Sequence, residues 1–223
     1  MKRKTVKNVL YYVVLAVLVA VFCFSAYKIY SYYAEKREST RLNESVAREY
    51  TIRKTGQAKE EEEYFQVDFD QLCQQNSDAV AWLYLKGTPI NYPVLQSDTE
   101  EDSQFYLTHS FAKKKDKNGS LFMDYRNDFV DRDTNIIIYG HNMKNGSMFG
   151  SLKNYLEKGY LEKHSKVRFD TIYEHGKYEV IDAFLSEVSY QDEYTFRYYN
   201  FLNARTEAEF EAFSVNVMQM DAL

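Results

Sequence analysis

The stretch NIIIYGHNMKNGSMFG, Asn135 to Gly150, carries the reading of this chain. Three consecutive β-branched residues, Ile136 to Ile138, predict a strand covered on both faces, because a strand with one wet side would alternate apolar and polar residues. Gly140 then allows the backbone to turn sharply just where His141 arrives. The pattern delivers an imidazole from a rigid strand into a glycine-punctuated loop. Two readings of His141 follow: a reactive group, or a structural histidine filling a polar gap. No second His, Cys or carboxylate stands at ligand spacing from it, so no metal is expected. No G-x-S-x-G elbow occurs, although a serine triad stays open, and Gly146 and Gly150 are too sparse for a phosphate-cradling loop.

Working outward, VAWLYL (80–85) and INYPVL (90–95) flank Gly87, Thr88 and Pro89 and predict a hairpin or corner. SLFMD (120–124) predicts a further short strand after the polar loop 113–119. Met148, Leu152 and Tyr155 have helical spacing over 147–156, and a second short helix is expected to end before Lys163. Strands over 167–172 and 178–188 flank His175 and Gly176, which read as a hairpin tip. Thr206 and Glu209 form a capping-box pattern that opens a helix over 206–218. At the front, Phe65, Val67, Phe69 and Leu72 are the first apolar anchors, and Asp68 or Asp70 is the candidate cap of a helix running to Asn76. Many strands with few, short helices predict a mainly-β, barrel-like domain.

No charged residue occurs from Val9 to Tyr27. At about 1.5 Å per residue, such a run crosses a ~30 Å hydrocarbon core. A cleavable signal peptide is the competing reading, but Phe24 stands where a cleavage site needs a small residue. Lys2, Arg3, Lys4 and Lys7 precede the run, whereas Glu35 and Glu38 dilute the positive charge after it, so the N-terminus is expected to stay cytoplasmic. The expected organisation is a cytoplasmic tail (1–8), a transmembrane anchor (9–28) and a charged juxtamembrane stalk (29–63) ending in Glu60 to Glu63. A folded domain (64–223) then lies on the extracellular face of the cell membrane.

The formal net charge of −5, with no arginine-rich face, argues against a nucleic-acid partner. The two cysteines are Cys23, inside the apolar run, and Cys73, far outside it, so no disulfide framework is expected. Phe22 puts a bulky ring where a lipid-attachment site needs a small residue, and Cys23 reads as an apolar filler. Cys73, beside Leu72, reads as packing. His109, His164 and His175 are most simply surface or structural histidines.

Four segments in order, NSDAVAWLYLKGTPINYPVLQ (76–96), FYLTHSF, GSLFMDYRN (119–127) and IIIYGHNMKNGSMFGSL (136–152), closely resemble the class B sortases of Gram-positive bacteria. The resemblance covers about 69–184. It implies a sortase-like β-barrel and a cysteine transpeptidase that needs no cofactor. Its partners would be surface proteins bearing a C-terminal sorting signal and the amine of a peptidoglycan cross-bridge, with the membrane engaged through residues 9–28. His141 matches the catalytic histidine, and Leu107 and Tyr139 match positions lining the substrate groove. Ser103 stands where an asparagine is common in that groove. Asp124 is expected to be a structural acceptor rather than a catalytic acid.

The resemblance also places a nucleophilic cysteine on a late strand in a TL-x-TC motif, and an arginine on the next strand. No cysteine follows Cys73 here, and the 223 residues end just after the helix that precedes those strands. The expectation is a sortase sequence truncated before its last strands and inactive as written. A non-catalytic protein that binds sorting signals is the alternative, and Cys73 as a relocated nucleophile is a third reading.

Overall fold

The apolar run near the N-terminus is helical in the computed structural model of the protein, which describes residues 2–53, 65–185 and 196–220. Helix α1 spans Lys2–Tyr50. The chain divides into two compact units, 1–44 and 45–223. Within the first, Asn8–Ala34 is 27 residues long and apolar enough to cross a membrane, a test that a signal sequence also meets. The side chains of Lys2, Arg3, Lys4 and Lys7, on which the expected orientation rests, lie outside the described residues.

The second unit begins with the last turns of α1. Val46, Ala47 and Tyr50 pack into its core, and the Tyr50 ring lies 5.8 Å from that of Phe111. Strand β1 (Thr51–Arg53) pairs antiparallel with β2 (Phe65–Val67). Residues 45–53, expected in the stalk, therefore pack with the folded unit. The apolar side chains of Val46, Ala47 and Tyr50 are hidden in the charged average of 29–63, but they sit on one helical face and bury together. The run Glu60 to Glu63 and the expected domain start at Tyr64 lie outside the described residues.

Asp68 caps α2 (Phe69–Gln75), its carboxylate accepting from the Gln71 amide at 3.0 Å. Strands β3 (Ala79–Leu85) and β4 (Asn91–Gln96) form the expected antiparallel hairpin, with Trp82 opposite Pro93. Strand β5 (Leu121–Met123) joins β4 in parallel, and β6 (Ile138–Tyr139) pairs antiparallel with β5. After the short α3 (Tyr160–His164), β7 (Lys166–Thr171) returns to β3 and β8 (His175–Glu179) pairs with β7. The result is a mixed six-stranded sheet, ordered β6-β5-β4-β3-β7-β8 and curled as a half-barrel with short helices. Helix α4 (Glu207–Gln219) follows Thr206, whose hydroxyl accepts from the Glu209 amide.

Apolar side chains cover both faces of the middle strands. Leu83 and Leu85 of β3, with Leu121 and Met123 of β5, enter one cluster. Trp82 and Phe122 enter the other, with Leu72, Leu95 and Tyr106. Period-2 alternation thus divides a continuous apolar run between two cores.

Four sequence expectations change. The segment 135–139 is not a doubly covered strand: only Ile138 and Tyr139 join the sheet, at its edge and half-buried. Just upstream, the Asn135 amide donates to Leu202 O and the Ile137 amide to Asn127 Oδ1, so loops take groups a ladder would have used. The hairpin tip lies at 172–174 rather than at His175 and Gly176, because Asp170 pairs with His175 across β7 and β8. Of the strand expected over 178–188, only its beginning falls in β8, and 186–188 lie outside the described residues. The helix expected over 147–156 is a 3-10 helix, Phe149–Leu156.

Candidate active site around His141

Strand β6 ends at Tyr139, and Gly140 and His141 follow. Gly140 does not have a positive φ, so backbone conformation alone does not require glycine there. It is glycine because a Cβ there would collide with Leu121 and with the Phe149 ring, whose Cδ2 would lie 2.8 Å away. The His141 carbonyl accepts from the amides of Met143 and Phe149, both at 3.0 Å, which folds the loop back on itself. Gly150 packs against the Met143 carbonyl, again where no side chain fits. Buried Met148 closes the loop at φ 49°, a left-handed conformation costly for a non-glycine residue.

The imidazole is half-buried, and its Nε2 lies 2.7 Å from the Leu107 carbonyl. A carbonyl only accepts, so Nε2 carries the proton and donates. Nδ1 has no hydrogen-bond partner among the described residues. Leu107 ends a 3-10 turn, Phe105–Leu107, and its side chain packs in the same cluster as Tyr139. The structure thus brings together His141 and Leu107 from 34 residues apart, with Tyr139 two residues before the histidine. Ser103 stays apart, half-exposed in the turn leading to Phe105, its amide donating to Glu100 O at 3.2 Å.

Tyr139 is held by its hydroxyl, which donates to Asp124 Oδ2 at 2.8 Å. Asp124 in turn accepts from Arg126 Nε and Nη2, both at 2.8 Å, and from the Arg126 amide at 3.0 Å. Burial acts to raise the Asp124 pKa, but the guanidinium and the tyrosine hydroxyl outweigh it and hold the carboxyl below its ordinary value. Burial and the adjacent carboxylate push the Tyr139 phenol up, so it remains a donor. Both carboxylate oxygens are engaged, which fits Asp124 as a structural acceptor. Arg126 Nη2 also donates to Tyr199 O at 2.8 Å, tying the site to the segment before α4. Gln96 Nε2 donates to the carbonyls of Asp124 and Asn127 at 2.9 and 2.7 Å. Sequence reasoning passed over Arg126, Gln96 and Asn127. The Asp-x-Arg spacing within DYRN was the one local signal for the first of these.

The remaining candidates have other work. Cys73 Sγ donates to Ala79 O at 3.4 Å, and burial, then the Asp70 charge, raises its pKa. His109 stacks on Phe105, with ring centroids 3.9 Å apart. His164 contacts Lys86 O at 3.2 Å, and His175 lies 3.3 Å from buried Asp170. Among the described residues no group of His, Cys, Asp and Glu could hold a metal.

No family model matches the chain. A sortase B of Listeria monocytogenes is 38% identical over 160 residues, 70% of this chain and 61% of that protein. The sortase B of Staphylococcus aureus is 33% identical over 168 residues, 75% of this chain and 65% of that protein. The chain thus spans less than two thirds of the length of either relative. Among solved structures, a Bacillus anthracis sortase B superimposes with a TM-score of 0.66 at 28% identity, covering 86% of this chain and 83% of the other. The Staphylococcus aureus sortase B, solved in a substrate complex, gives 0.59 at 30% identity over 70% of this chain and 67% of the other. A sortase B complexed with triglycine gives 0.60 at 31% identity, covering 69% and 67%. The half-barrel with His141 just past its edge strand β6, and this identity to sortase B sequences and structures, place the chain in the class B sortase family.

Proposed function

We propose that the protein is a membrane-anchored cysteine transpeptidase that cleaves C-terminal sorting signals and joins surface proteins to an amine of the peptidoglycan cross-bridge. The observation that carries this reading is His141, anchored through Nε2 on the Leu107 carbonyl with Nδ1 left for proton transfer. The substrate and triglycine complexes of the sortase B relatives support the two substrate classes. In the reaction a thiolate attacks the scissile carbonyl, and the C–N bond breaks as the leaving amine takes a proton from His141. The acceptor amine then gives a proton to His141 and attacks the thioacyl carbon, returning the thiolate. Leu107 and Tyr139 contribute to the groove that holds the sorting signal. The segment Asn8–Ala34 anchors the protein with its N-terminus inside and the sortase unit outside.

The thiol in this scheme is the late-strand cysteine that the resemblance implies. Cys73 does not supply it: its sulfur is engaged with Ala79 and its raised pKa disfavours the thiolate. The 223 residues taken alone are therefore proposed to bind sorting peptides without cleaving them. Protein expressed from its native locus, incubated with fluorescent sorting-signal peptides and triglycine, should yield the ligated product. That product should vanish in His141→Ala and persist in Cys73→Ala. The isolated chain should bind the peptides, read as anisotropy. Turnover abolished by Cys73→Ala would overturn the assignment of the thiol, and absence of both binding and product would overturn the function.

A further inference from the structure

We infer that the Leu107 carbonyl is the proton-orienting partner of His141, and that Gly119 is the positioning residue that keeps this carbonyl available. The inference rests on His141 acting as the acid-base group. Three successive carbonyls leave the 3-10 turn at Phe105–Leu107. Tyr106 O accepts from the Ser120 amide at 2.9 Å and Thr108 O from the Asp116 amide at 2.9 Å. Between them, the Leu107 carbonyl faces His141 Nε2 at 2.7 Å.

The loop that satisfies its neighbours passes within contact of it at Gly119. That residue has φ +59°, and a Cβ there would lie 2.6 Å from Leu107 O and would also strike Tyr106 O. Glycine is thus required both by conformation and by the approach of backbone to backbone. The turn itself cannot easily give way. Tyr106 is fully buried, with its hydroxyl donating to Asp78 Oδ2 at 2.7 Å and accepting from Asn76 Nδ2 at 3.0 Å. A neutral carbonyl takes the place that a carboxylate has in a catalytic triad. It fixes the ring and the Nε2–H tautomer, and leaves Nδ1 as the basic nitrogen.

The test is long-range 1H–15N correlation on the full chain, which reads the tautomer of His141 without any turnover. The neutral ring should be the Nε2–H form, with a solvent-protected Hε2. In Gly119→Ala that protection should fall about tenfold, the factor for losing a hydrogen bond worth ~1.4 kcal/mol. Gly159→Ala serves as the control, since Gly159 has φ +80° but open space where a Cβ would go. It imposes similar backbone strain and should leave the His141 signals unchanged. A wild-type ring in the Nδ1–H form would overturn the inference even if Gly119→Ala fails to fold, as would equal effects of the two variants. Failure of the transpeptidase reading would show in the ligation assay and leave these spectra unchanged.

Discussion

Asp124→Ala is expected to lower the stability of the sortase unit by about 3 kcal/mol. The carboxylate is 6% exposed and accepts from Arg126 through Nε, Nη2 and the amide, and from the Tyr139 hydroxyl. Breaking a fully buried ion pair costs roughly 3–5 kcal/mol, because one charge is stranded. The Arg126 side chain is 34% exposed, so water recovers part of that cost. About 2 kcal/mol is left for the arginine. The half-buried Tyr139 hydroxyl, deprived of its acceptor, adds about 1 kcal/mol. At roughly 2–4 °C per kcal/mol for a unit of this size, Tm should fall by about 6–12 °C, measured by near-UV circular dichroism. Tyr139→Phe, which removes the hydroxyl alone, should cost about 1 kcal/mol. The pH dependence has a definite sign. The Asp124 pKa is held below its ordinary 3.8 in the folded state, so its contribution is fully present above that value and is lost as pH falls through the folded pKa. The gap between wild type and Asp124→Ala should therefore narrow on acidification below 3.8. A Tm drop under about 2 °C at neutral pH would refute the claim that this carboxylate organises the site.

Other consequences can be checked separately. Gly150→Ala places a Cβ against the Met143 carbonyl and should destabilise the loop after His141 by about 1–3 kcal/mol, visible as a lowered urea midpoint; a neutral variant would show that the loop can shift freely. Cys73 should react with iodoacetamide more slowly than free cysteine at neutral pH, because burial and Asp70 raise its pKa; faster labelling, followed by mass spectrometry, would contradict the packing of its thiol. Protease added outside intact cells should digest the sortase unit and spare an N-terminal epitope tag, whereas digestion of the tag would reverse the proposed orientation.

Much of this protein is legible along the chain because the relevant signals are local. Runs such as VAWLYL and SLFMD state strand and burial by their own composition, Asp68 and Thr206 cap helices through amides three residues on, and YGHNM followed by SMFGSL carries the family resemblance. Misreadings arose where partners are distant. Ile136 to Ile138 looks like a doubly covered strand, yet Asn135 and Ile137 spend their amides on Leu202 and Asn127, which leaves β6 two residues long at a sheet edge. Gly140 and Gly119 show the same division. The sequence marks both as glycines, but only packing shows that one makes room for Phe149 and the other for the Leu107 carbonyl. By itself the sequence determined the class of fold, the apolar helix, the family and the histidine on which the proposed chemistry rests, because each is written in residues within a few positions of one another. Only the tertiary structure decided which nitrogen of His141 faces the Leu107 carbonyl, that Arg126 locks Asp124 and Tyr139, and that the Cys73 thiol is engaged with Ala79. Each of these depends on a partner brought close in space by folding, and such contacts are set by the whole sheet rather than by any local pattern.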